Sequence, residues 1–357
     1  MHRRVLPSYG HREQSQIVSR PDCLVYCRDR LISLVSPSSV RRASRNPSTM
    51  ADCSEFFLKN KPCAGFEERS DKIKYFCDHH LAEASRVVLV TAGGTTVPLE
   101  QKTVRFVDNF SLGNRGAASA EYFLRAGYAV IFMHRQNSLE PFSRNIHSNV
   151  LDLFSTRSGA LEISENVRGL IENQVKRYEA AVAEKKLLKV SFTTVADYLF
   201  LLRAAAQHLA PLGGRAMLYL AAAVSDFYVH PEKLSEHKIS SDAQLSLTFH
   251  LVPKVLGPLV FHWVPRAFVI SFKLETDESI LLQKARGALE SYKHHWVIAN
   301  ELHTRKEKVT LVGKSDFENI HMTPEDLAAG IEIEERIVDC LTELHDAFVK
   351  SQSSEST

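Results

Sequence analysis

Apolar positions along this chain follow two rhythms: short unbroken runs, and longer stretches in which they recur every three or four residues. Arg86-Val-Val-Leu-Val-Thr-Ala92 is the first unbroken run, and it ends at Gly93-Gly94. Continuous β-branched runs of this length suit a parallel strand covered on both faces. Ala129–Met133 repeats the rhythm after a helix-like segment over 114–126 that stops at Gly127. Helices are also predicted over 66–84, 161–186, 194–208 and 278–292, with a long one from Pro324 to 348. Further strands are predicted at Lys189–Phe192, Ala216–Val224, Ala267–Phe272, Trp296–Ala299 and Val309–Val312. Strand and helix alternating in this way predict an α/β fold, a three-layer Rossmann-like doubly wound sheet. Residues 230–253 are more polar, and Leu245-Ser-Leu-Thr-Phe-His-Leu251 alternates, so a β flap is expected there. One domain over 50–350 therefore carries the flap at 230–253, and the Ser-rich segment 351–357 reads as a disordered tail.

Residues 1–49 break the pattern, being rich in Arg and Ser, poor in acid and without sustained periodicity. They read as a disordered basic extension, or as sequence upstream of a start at Met50. The composition also resembles a mitochondrial presequence. Localisation is expected to be cytoplasmic, with mitochondrial import through 1–49 as the alternative.

Charge changes the picture little. Lys and Arg number 44 against 42 for Asp and Glu, a formal +2, so no whole-chain field gathers nucleic acid or an acidic membrane. No apolar run approaches the roughly 20 residues that span a bilayer. The six cysteines form no C-x-x-C and no zinc-type pair of pairs, which fits a reduced compartment. A small-molecule enzyme is the expected class, with neither nucleic acid nor membrane as partner.

The candidate chemistry lies at strand ends, where open α/β sheets bind ligands. Gly93 and Gly94 allow a sharp turn and close backbone approach. Ser111, Gly113 and Gly116 open a helix whose free amides and positive dipole end favour phosphate, with Asn109 and Arg105 in the same loop. Ser111 as a plain helix cap is the competing reading. Ser225 and Asp226 follow a buried strand, though Asp226 also suits a turn cap. Lys238 lies in the flap, where closure would bring its charge to a phosphate. Phe272 at another strand end can flank a base or serve as core, and Asn300 can read a base edge or form a turn. Gly313-Lys314-Ser315 imitates the end of a P-loop, but Lys308 stands where its first glycine belongs.

Taken in order, Gly93-Gly94-Thr, Val104-Arg-Phe-Val-Asp-Asn-Phe-Ser, Ala222-Ala-Val-Ser-Asp-Phe-Tyr, Glu236-His-Lys-Ile, Ser271-Phe-Lys-Leu-Glu-Thr-Asp and Ala299-Asn300 resemble the phosphopantothenoylcysteine synthetase family, in its stand-alone animal form. The resemblance implies ligation of 4′-phosphopantothenate with L-cysteine through an acyl-adenylate, on the route to coenzyme A. It implies ATP as nucleotide, Mg2+ on the pyrophosphate and a homodimer. By the same resemblance Gly93, Ser111, Gly113, Gly116, Phe272 and Asn300 hold the nucleotide. Asn109, Ala222, Ala223 and Asp226 contact phosphopantothenate, joined by Arg105 from the neighbouring subunit. Asn109 and Lys238 are the catalytic candidates. The bacterial flap carries a Lys-x-Lys-Lys run, whereas Lys238 is followed by Ile239, Ser240 and Ser241. A Rossmann-type NADP-dependent oxidoreductase and a non-catalytic nucleotide-binding module are the alternatives; the chain holds no Tyr-x-x-x-Lys.

Overall fold

The structure, a computed structural model, describes residues 47–146, 149–157, 159–241 and 244–354. The extension expected over 1–49 lies outside the described residues as far as residue 46.

Eight strands form the central sheet: β1 (Val87–Ala92), β2 (Ala129–Arg135), β3 (Leu187–Phe192), β4 (Ala216–Leu220), β5 (Phe268–Glu275), β6 (Trp296–Glu301), β7 (Lys308–Val312) and β8 (Phe317–His321). The longer helices are α1 (Pro47–Lys59), α2 (Phe66–Ala82), α3 (Asn114–Arg125), α4 (Arg168–Ala183), α5 (Val195–Leu209), α6 (Glu278–Tyr292), α7 (Pro324–Ala328) and α8 (Ile333–Ser354). The spatial order is β8-β7-β6-β5-β4-β1-β2-β3. Strands β1 to β6 pair in parallel, and β7 and β8 extend the edge antiparallel. The chain winds outward from β1 to β3 and returns to lay β4 on the other side of β1. That reversal opens a crevice beyond the carboxyl ends of β1 and β4.

Alternation along β1 divides the core into two layers. Val88 and Val90 face α3 and α8, packing with Ala117, Phe123, Ile337 and Leu341. Val87 and Leu89 face α2 and α5, packing with Ile73, Phe76, Leu199 and Leu202. On that second face, α6 covers Val297 and Ala299 through Leu281, Ala285 and Leu289.

Several expectations are corrected. The helix expected from 161 begins at Arg168, because Gly159 (φ +81) turns Phe154–Arg157 back onto Ala160–Ile163 as a hairpin. The helix expected from Pro324 breaks at Gly330 (φ +69), giving α7 and α8. Helix α8 then runs to Ser354, so residues 351–354 are helical rather than tail. The flap is not a hairpin over 230–253. Among the described residues only Phe227–Tyr228 and His250–Leu251 pair there, and the alternating residues 245–249 have no described strand beside them. Its first arm lies instead along a second excursion: Gln101 N–H donates to Ser235 O (2.9 Å) and Lys102 N–H to Glu236 O (3.1 Å).

Candidate active site

The crevice is built from backbone first. Gly93 (φ +83) ends β1 in a conformation that side chains resist, and an added Cβ would sit 2.5 Å from Arg135 Cβ. Gly113 (φ +82) caps α3 with no side-chain hydrogen bond, and a Cβ there would lie 3.2 Å from the Gly93 nitrogen. Gly116 packs its Cα face on Ala92, where a Cβ would meet Ala92 Cβ at 2.5 Å. Three glycines thus bring the end of β1 and the first turn of α3 into contact. Ser111 does not cap the helix: its Oγ accepts only from Gly113 N–H, at 3.4 Å. The amide end of α3 therefore stays without a side-chain cap, open to an anion.

Two threonines missed by the sequence reading sew this turn to the one after β4. Thr91 Oγ1 accepts from Ala222 N–H (3.1 Å), and Thr95 Oγ1 accepts from Ser225 N–H (2.9 Å). Backbone bonds complete the seam: Ala223 N–H to Gly93 O (2.8 Å), Thr95 N–H to Ala223 O (3.1 Å), and Asn109 N–H to Thr95 O (3.1 Å). Asn109 therefore stands two hydrogen bonds from Ser225. The only signal was their position flanking the two glycines.

Below that seam, on the face of α5 and α6, opens a cavity of about 520 Å³ whose lining includes Ala222, Ser225, Asp226, Tyr198, Ser271 and Phe272. A volume in the range of roughly 300–1,000 Å³ suits a small organic ligand. Asp226 at its mouth pairs with Lys254 (2.6 Å). Burial pushes the Tyr198 phenol up to about 12, so it is a neutral donor at physiological pH. Ser271 Oγ lies 2.8 Å from Nε2 of buried His294, whose pKa burial lowers to about 4; that imidazole is neutral.

Phe272 also lines this cavity, while its ring packs edge-on against Tyr219 (4.9 Å) in the layer beneath α3 and α8. Asn300 lies apart from the large cavity. It lines a smaller one of about 240 Å³ beside α6, β6 and β7. It is 6% exposed and its Oδ1 has no hydrogen-bond partner, an acceptor awaiting a donor.

The flap and the excursion 95–112 frame the rim. Arg105 does not project freely. Its N–H and Nε–H donate to Glu100 (2.9 Å each), and Nη2–H donates to Ile239 O (2.6 Å). Backbone N–H groups of Arg105 and Val104, together with the Arg105 guanidinium, hold the buried Glu100 carboxyl below the usual range. Nη1 and the second Nη2–H of Arg105 are engaged by neither partner. Lys238 is exposed on the flap arm that this arginine steadies. The structure thus brings Gly93, Asn109, Ser111, Gly113, Gly116, Ala222, Ala223 and Asp226 to one stitched rim. It leaves Asn300 in a neighbouring recess and Lys238 at the surface.

Known proteins share sequence and fold with this chain. A family profile described as the DNA/pantothenate metabolism flavoprotein C-terminal domain matches residues 83–191 and 179–335. The phosphopantothenate–cysteine ligase of Homo sapiens is 49% identical over 276 residues, covering 75% of this chain and 89% of its own. The Saccharomyces cerevisiae enzyme, phosphopantothenate–cysteine ligase CAB2, is 41% identical over 284 residues, covering 72% and 76%. A solved structure of a histidine-to-alanine mutant of Cab2 in complex with phosphopantothenate-cysteine superposes with a TM-score of 0.78 at 38% identity, covering 84% of this chain and 99% of that one. With the parallel sheet, the glycine-packed crevice and these relatives together, the chain belongs to the phosphopantothenate–cysteine ligase family, the enzymes that form this amide bond in coenzyme A biosynthesis.

Proposed function

We propose that the chain joins 4′-phosphopantothenate to L-cysteine at the expense of ATP, through an acyl-adenylate. A carboxylate and an amine do not condense unaided, because the departing oxygen is a poor leaving group. In the first step a carboxylate oxygen attacks the α-phosphorus and pyrophosphate leaves. In the second the cysteine nitrogen attacks the acyl carbon, the C–O bond breaks to release AMP, and the nitrogen loses its proton. The protein's share is alignment and stabilisation of developing charge.

The observation that carries this reading is the uncapped amide end of α3, pressed by Gly93, Gly113 and Gly116 against the end of β1, which is hydrogen-bonded in turn to the Ala222–Ser225 turn that lines a cavity of substrate size. Gly93, Ser111, Gly113 and Gly116 are assigned to the nucleotide phosphates and ribose, with Phe272 and Asn300 at the base. The unpaired Asn300 Oδ1 supports a base with an amino group there. Ala222, Ala223 and Asp226 are assigned to phosphopantothenate. Asn109 is the leading catalytic candidate, since a neutral amide donates to a carbonyl or phosphoryl oxygen without adding buried charge. Lys238 is assigned to flap closure over the intermediate. Magnesium is assigned to the nucleotide, where it would neutralise the departing pyrophosphate.

A homodimer is proposed from the exposed apolar residues of the excursion, Phe110 (85% exposed), Leu112, Val104 and Phe106, with Arg105 Nη1 reaching the neighbouring site. Among the described residues no helix is long and apolar enough to cross a membrane. A cytoplasmic location is proposed, with import through residues 1–49 as the alternative. The deciding assay supplies phosphopantothenate, cysteine and either ATP or CTP, and measures AMP, CMP and pyrophosphate. Pyrophosphate release that depends on phosphopantothenate, with AMP as co-product, is the expected result. Release with CTP alone overturns the nucleotide assignment, and none with either overturns the ligase reading.

A further inference from the structure

One charged side chain in the first turn of α3 has no role in the assignments above. Arg115 stands between Gly113 and Gly116, and one helical turn before Ser119. Residues four apart share a helix face, and Ser119 Oγ is hydrogen-bonded to Tyr219 OH (2.8 Å) beneath the Phe272 ring. Arg115 therefore projects along the side of α3 that faces Tyr219 and Phe272. Its charge registers at the Tyr219 phenol, where it partly opposes the upward push of burial.

Two partners hold the guanidinium in place. Nη2–H donates to the backbone carbonyl of Arg305, in the loop that follows β6 and Asn300. Nη1 lies 3.1 Å from the carboxylate of Glu334, a residue only 6% exposed in the first turn of α8. Nη1 is thus ion-paired with a buried carboxylate, without the alignment of a hydrogen bond. Asn300, at the start of the same loop, contributes a buried acceptor with no donor. Arg115 thus ties the turn between Gly113 and Gly116 to the loop that begins beside Asn300.

We propose that Arg115 is a positioning residue for the nucleotide: held by Glu334, it pins the 302–307 loop, which begins beside Asn300, to the phosphate-binding turn of α3. This rests on the nucleotide site proposed above. Glu334 balances the charge, so the arginine stays in place before ligand arrives. The arrangement joins the two ends of the nucleotide mechanically, since one side chain reaches from the phosphate turn to the base loop.

The test compares Arg115→Met, Arg115→Lys and the double variant Arg115→Met/Glu334→Gln, which leaves no unpaired buried carboxylate. Each is assayed for ligation with ATP, phosphopantothenate and cysteine varied in turn. Loss of a charge-assisted donor predicts an increase of about 10-fold or more in KM for ATP, with KM for the other two substrates within about two-fold. Arg115→Lys should recover part of the loss, because a cation is retained without the planar fork. An unchanged KM for ATP in the folded double variant overturns the proposal, as does an equal rise for all three substrates. Phe272→Ala and Asn300→Ala are measured alongside. If these raise KM for ATP and Arg115 variants do not, only this proposal fails. If none of them does, the nucleotide site itself has been misassigned.

Discussion

Gly94 and Asn109 meet backbone to backbone: a Cβ added at residue 94 would fall 1.6 Å from the Asn109 carbonyl oxygen. Nothing soft separates them, so a larger residue must displace the Asn109 loop. Gly94→Ala is expected to destabilise the fold by about 1–3 kcal/mol and to lower ligation more than stability. Urea denaturation with parallel turnover measurements checks both. A variant that keeps wild-type rates would show that the loop position is not needed.

Asn109→Asp places a carboxylate where a neutral donor is proposed to face phosphoryl or carbonyl oxygen. A fall of roughly 10²–10³ in kcat is expected. Rapid-quench measurement of pyrophosphate separates adenylation from amide formation. Near-normal turnover removes Asn109 from the catalytic assignment.

Thr95→Val leaves the buried Ser225 N–H without its acceptor. The expected cost is about 1–3 kcal/mol. Because Ser225 and Asp226 line the large cavity, KM for phosphopantothenate should rise while KM for ATP holds. A stability loss with all kinetic constants intact would make the seam structural only.

Three imidazoles, the buried His294 and His345 and the half-buried His295, set an acid limit. Burial lowers His294 and His345 to about 4 and His295 to about 3. Each is neutral when folded, whereas the unfolded chain takes up protons near 6.5. Their stabilising contribution is therefore complete above about pH 6.5 and lost as pH falls toward the folded values. Each adds a slope of roughly 1.4 kcal/mol per pH unit within that window. His345→Gln, which retains a polar partner for Tyr128 OH and Gly214 O, should flatten the urea-midpoint profile between pH 6 and 4. An identical slope in wild type and variant would rule this origin out.

The parallel core was readable because its strands are covered on both sides and so appear as unbroken apolar runs, as in Val87–Ala92 and Ala216–Leu220. Strand β8, Phe-Glu-Asn-Ile-His, buries only Ile320 and carries no such mark. Helix α1 escaped notice because its apolar face, including Phe56 and Cys53, follows a segment set aside for its composition. At the site, glycines and strand-end polar residues were visible as motifs. The pairing of Thr91 with Ala222 and of Thr95 with Ser225 depends on which strands lie adjacent. Separation of some 130 residues hides that relationship from local pattern. The resemblance assigns Arg105 to the neighbouring subunit's site and says nothing of its partners within its own chain. Its retention by Glu100 and Ile239 likewise depends on where the flap settles.

Of the four amides from Ala222 to Ser225, three already donate inside the protein, to Thr91, Gly93 and Thr95. This turn is thus largely closed to anions, in contrast with the helix end across the crevice. The two walls of the crevice therefore differ in character before anything enters: the helix end keeps donors in reserve, while the alanine turn has committed most of its own to the protein.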